Sequence, residues 1–107
     1  MNVISSITNI KDWEKIKLKY KNILIFIWSK DIHLNYNDFI QNVNLNLKNN
    51  IKLFQLEILE NSNMIEHLDI TSYPCLRYYK NSNLINEYFF LEKYINNVNI
   101  FLKNINS

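Results

Sequence analysis

Apolar and polar positions along the chain switch between two periods, and the switches set out an order of elements. Residues 23–28 (ILIFIW) form an unbroken, mostly β-branched apolar run, which predicts a strand buried on both faces in a parallel-sheet setting. Before it, Trp13, Ile16 and Tyr20 share one helical face. Asn9 is placed to cap that helix and Asp12 to meet its positive end. Residues 3–7 (VISSI) read as a short edge strand. After a polar stretch, Tyr36, Phe39, Ile40, Val43 and Leu47 keep helical spacing, and Asn49 and Asn50 end that helix. Residues 51–58 (IKLFQLEI) alternate as a strand does. Asn61 and Ser62 open a short helix carrying Met64, Ile65 and Leu68. Residues 75–80 and 84–89 form a hairpin turned at Asn81, Ser82 and Asn83. Leu91, Tyr94, Ile95, Val98, Phe101, Leu102 and Ile105 make a strongly periodic last helix. The predicted order is β-α-β-α-β-α-β-β-α: one α/β domain over residues 1–107, with helices on both faces of a five-stranded mixed sheet.

Composition changes this picture at the turns. The chain has no glycine, a single proline (Pro74) and many asparagines, a bias that resembles chains encoded by a very AT-rich genome. Turns needing positive φ must therefore use Asn or Asp, the next most tolerant residues. Net charge is only +2, too mild to imply a nucleic-acid partner. Lys11, Lys15, Lys17, Lys19 and Lys21 scatter around a helix and read as a solvated face. No apolar run reaches the ~20 residues of a bilayer span, and no basic-then-apolar leader opens the chain. The expectation is a cytoplasmic protein that does not engage a membrane.

Cys75 is the sole cysteine, which excludes an internal disulfide, a cysteine-rich zinc site and an iron–sulfur cluster. Glu57, Glu60, Glu66 and Asp69 show no metal-ligand spacing, and a chain without glycine has no Gly-rich phosphate loop. No metal and no cofactor are expected. His67 is expected on the surface of the short helix.

The element order and several segments resemble the thioredoxin-like family. Trp28 ends its strand as the family's Trp does before the active-site loop. The stretch from Leu56-Glu57-Ile58 to Tyr73-Pro74-Cys75 resembles the family segment that reaches the cis-proline, and Leu76-Arg77-Tyr78-Tyr79-Lys80-Asn81 resembles its Phe-Lys-Asn-Gly strand. The resemblance implies a cis Tyr73–Pro74 bond. It also places the family's Cys-x-x-Cys positions at Ile32 and Asn35, with His33 and Leu34 between, and its buried carboxylate at Phe26. Neither Ile32 nor Asn35 attacks a disulfide. The small pair that borders the family's substrate groove corresponds to Phe89-Phe90.

These losses imply a redox-inactive thioredoxin-like protein, a binding or adaptor domain that contacts a protein partner through the former active-site face. The expected contact residues are Trp28, Asp31, Ile32, His33, Leu34, Tyr73, Pro74 and Phe89. Aromatic side chains there suit a binding hot spot, and equally suit packing on one another over the core. One alternative is a monothiol redox or glutathione-linked protein acting through Cys75, with His33 as a base; a buried Cys75 would instead be a small hydrophobe. A second is a spliceosomal thioredoxin-like subunit. The longer C-terminal extension expected of such subunits is not in these 107 residues, which ranks that reading lower.

Overall fold

A computed structural model describes residues 4–31, 36–89 and 95–106. In chain order the elements are β1 (Ser5–Ser6), α1 (Ile10–Lys19), β2 (Asn22–Trp28), α2 (Tyr36–Leu45), β3 (Lys52–Glu57), α3 (Asn63–His67), β4 (Cys75–Lys80), β5 (Asn83–Phe89) and α4 (Ile95–Asn106). The strands form one sheet in the order β1-β3-β2-β4-β5. β1, β3 and β2 run parallel; β4 and β5 are antiparallel to their neighbours.

The apolar run of β2 explains why this strand is central. Ile23, Ile25 and Ile27 enter one core with Trp13 and Ile16 of α1 and Met64 of α3. Leu24 and Phe26 enter a second core with Phe39, Ile40 and Val43 of α2 and Val98, Leu102 and Ile105 of α4. All five β2 side chains from Ile23 to Ile27 are fully buried. β3 is buried on both faces although its sequence alternates. Leu53, Phe54, Leu56 and Glu57 are all buried, because helices cover both faces of the sheet. The first strand is also shorter than predicted, two residues extended only by Ile7 N–H donating to the Gln55 carbonyl at 2.9 Å.

Local chemistry sets the ends of the elements. Asn9 caps α1, its Oδ1 accepting from Asp12 N–H at 2.7 Å. Asn9→Ala is expected to lower stability by about 1 kcal/mol, read as a shift of the urea midpoint with an unchanged slope. α3 ends with Asp69 at φ 54°. Asp69 N–H donates to Glu66 and Ile70 N–H to Ile65, the paired bonds of a left-handed helix stop. The β4–β5 turn places both Asn81 (φ 52°) and Ser82 (φ 70°) in the left-handed region, as a two-residue hairpin loop requires. Asp69 and Asn81 match the expectation for a chain without glycine; Ser82 does not. It is held there from outside: Ser82 Oγ donates to the Lys17 carbonyl at 3.3 Å, and Asn81 N–H to that of Lys21 at 2.9 Å.

The asparagines, featureless as sequence, join α2 to α4. Asn42 Nδ2 donates to Asn99 Oδ1 at 3.1 Å. Asn106 Nδ2 donates to the Asn46 carbonyl at 2.7 Å, and Asn106 Oδ1 accepts from Lys48 N–H at 3.1 Å. Leu91 and Tyr94, assigned to the last helix from the sequence, lie outside the described residues. His67 is on the surface as expected, and its Nε2 lies 3.2 Å from Glu14 Oε1 of α1. With Lys17 and His67 bonded to it, the Glu14 carboxyl is held below its ordinary range.

Candidate functional site

Strand register gathers the sequence-derived residues at one end of the sheet. Trp28 ends β2 beside Glu57, which ends β3. Ile27 pairs with Cys75 at the start of β4, and Cys75 with Phe89 at the end of β5. Tyr73 and Pro74 directly precede β4, joined by the cis peptide bond expected. This is the carboxyl end of the parallel strands, where open α/β sheets form their crevices. Ile32, His33, Leu34 and Asn35, which precede α2 in the sequence, lie outside the described residues, as does Phe90. The pairing of Cys75 with His33 therefore falls outside them too.

Aromatic packing fixes the floor of this end. Phe26 is fully buried, with its ring centroid 4.6 Å from Phe39, 6.1 Å from Tyr36 and 6.3 Å from Trp28. Trp28 and Tyr36 stack at 4.5 Å with a 24° interplanar angle. Each such pair adds about 0.5–1.5 kcal/mol beyond area burial. The Trp28 indole N–H donates to Gln55 Oε1 at 2.7 Å, and Gln55 Nε2 to Ser6 Oγ at 2.9 Å, which ties β2 across β3 to β1. Trp28 is thus half-buried in the core, the packing role weighed for it from the sequence. Tyr73 and Phe89 are different: each keeps 43% of its surface exposed.

Glu57, one of the scattered carboxylates of the sequence, organises the loops around Trp28. It is 6% exposed. Its Oε2 accepts from Lys30 N–H at 2.8 Å and its Oε1 from Glu60 N–H at 2.8 Å. Lys30 Nζ and Glu60 Oε1 form an ion pair above it, which holds the Lys30 ammonium pKa above its ordinary value. One carboxylate therefore clamps the loop after β2 to the loop after β3. Nothing in the local sequence marks this role; it follows from the parallel pairing that sets residue 57 beside residue 28. Asp31 is exposed and accepts from the buried Ser29 hydroxyl in a tight turn.

Cys75 is fully buried on the α1–α3 side of the sheet. Burial pushes its thiol up to about 12, with the Glu87 carboxylate adding to the shift and Arg77 opposing it. A thiol in that state is neutral at physiological pH and unreactive as a nucleophile. Of the two roles weighed for Cys75 from the sequence, this burial is the setting of a small hydrophobe. Its neighbour Arg77, given no role from the sequence, is a second buried charge at 4% exposure. Its guanidinium donates to the Leu68 and Asp69 carbonyls at the end of α3 and to the Tyr79 hydroxyl, and pairs with Glu87 of β5. A polar residue at the middle of β4 is the signal that was available for it. Among the described residues, no group of three or more His, Cys, Asp or Glu is placed to hold a metal, and no helix is long and apolar enough to cross a membrane.

No protein-family model matches the chain, and no curated protein matches it by sequence. Solved structures do match by shape. Oxidised thioredoxin from Plasmodium falciparum superposes with a TM-score of 0.80 at 13% identity, covering 98% of this chain and all of that one. Thioredoxin from Malassezia sympodialis gives 0.77 at 12% identity over 100% and 94% of the two chains. Mitochondrial thioredoxin 3 of Saccharomyces cerevisiae gives 0.75 at 10% identity over 94% of each. With the strand order, the helices on both faces and the cis Tyr73–Pro74 bond already described, these matches identify the fold: the protein has a thioredoxin-like fold.

Proposed function

We propose that the protein works by binding a protein partner through the end of the sheet around Trp28, Tyr73, Pro74 and Phe89, and not by dithiol exchange. The observation that carries this reading is the complete burial of Cys75, the one thiol in the sequence, which favours its neutral form. The cytosol expected from the sequence is a compartment in which such a thiol stays reduced. Phe26 supports the reading from the other side of the sheet, since the position that the resemblance assigns to a buried carboxylate is filled by an aromatic stack. Tyr73 and Phe89 supply the contact chemistry, half-exposed aromatic surface of the kind that anchors interfaces.

The test is affinity capture with the wild-type chain, Tyr73→Ala and Phe89→Ala, each checked for native far-UV circular dichroism. Proteins retained by the wild type are expected to be lost, or weakened at least tenfold, with both folded variants. Retention of the same proteins by both variants would move the interface elsewhere.

A further inference from the structure

The opposite end of the sheet holds a cavity with its own chemistry. The first residue of β2, Asn22, pairs with the last of β4, Lys80, far from the Trp28 end. A cavity of about 190 Å³ opens there, well above the ~10–15 Å³ that admits one water. Lys21, Lys48 and Lys80 line it, from the turn before β2, the α2–β3 connection and the end of β4. Among the described residues no carboxylate lines it, and none of the three lysines forms an ion pair with another described residue.

Two contacts build the wall before any ligand arrives. The Tyr78 hydroxyl donates to Asn22 Oδ1 at 2.8 Å, which orients that amide and leaves its Nδ2 as a donor. Asn106 Oδ1 accepts from Lys48 N–H, which fixes the Lys48 backbone against the end of α4. Three lysines from three separate segments, with no described carboxylate beside them, make the potential of this polar recess positive and favour an anion there. A group with two negative charges and several acceptor oxygens matches three ammoniums and an amide better than a singly charged carboxylate does.

We propose that this cavity binds a phosphate dianion, either free or as the phosphoryl end of a small phosphomonoester. The site is independent of the aromatic end of the sheet.

Amide NMR titration at fixed ionic strength tests it, with inorganic phosphate, glycerol phosphate and acetate as the probes. Saturable shifts are expected with both phosphates at Lys21, Asn22, Lys48 and Lys80, with none at Lys11 or Lys15 and none with acetate. Tighter binding of the ester would assign the site to a phosphomonoester, and equal or weaker binding to the free anion. Lys48→Met and Lys80→Met each remove an exposed side chain and are expected to weaken binding about tenfold while the remaining spectrum is unchanged. Lys48→Arg is expected to retain it. Shifts that never saturate, that spread equally to Lys11 and Lys15, or that survive both Met variants would overturn the proposal.

Discussion

Phe26→Asp is expected to bring the protein close to unfolding at neutral pH. Removing a buried phenyl ring alone costs about 3–5 kcal/mol, and the carboxylate would sit among Phe39, Tyr36 and Trp28. Domains of this size have only about 5–15 kcal/mol in total. The pH dependence identifies the cause. Desolvation raises the pKa of the introduced acid in the folded state above its ~3.9 in the unfolded chain. The folded state then holds the proton more tightly, so the variant's stability falls as pH rises above about 4. The gap from wild type should widen between pH 4 and pH 7 in urea titrations. Phe26→Leu, which keeps most of the volume, should lose under ~1.5 kcal/mol and show no such widening. A stable Phe26→Asp protein at pH 7 would mean that this position still accommodates a charge.

Arg77→Met is expected to cost about 3–5 kcal/mol, the range for removing one partner of a buried charged network. The Leu68 and Asp69 carbonyls at the end of α3 would lose their donor, and Glu87 its cation. A loss of about 15 °C or more in Tm follows for a domain of this length. Arg77→Lys should recover only part, because one ammonium does not reach a helix end, a hydroxyl and a carboxylate as a fork does. The loss should be concentrated where α3 meets the sheet, so amide exchange in residues 63–70 should accelerate most. A loss below 1 kcal/mol would show that the two carbonyls find other donors.

The fold was legible because its signals are collective. The apolar run of 23–28, the helical spacing from Tyr36 and from Val98, and the Asn81-Ser82 turn each span several residues and reinforce one another. The Asn9 cap could likewise be assigned from position, and the cis Tyr73–Pro74 bond from the family resemblance. Single residues whose role depends on distant partners were not legible. Glu57 looks like one more strand carboxylate until β2 and β3 pair and set it against Lys30 N–H. Arg77 needs the end of α3 folded over β4. Asn106 and Asn42 were indistinguishable from the other asparagines of a biased composition until α4 lay along α2. Cys75 carries the same lesson. Its place after Pro74 was open to a reactive thiol or a small buried hydrophobe, and only the folded α1–α3 core shows that it is buried beneath β4.

The proposed function requires that Cys75 be out of reach of reagents in the native thioredoxin-like fold, and alkylation of Cys75 tests this directly. Native protein at pH 7.5 would be treated with excess iodoacetamide and followed by intact mass, beside a sample in denaturant. One adduct should form promptly in denaturant, while the native protein should react only at its rate of unfolding. A native Cys75 that reacts as fast as a free thiol, or faster, would contradict the account and restore a monothiol chemistry to this protein.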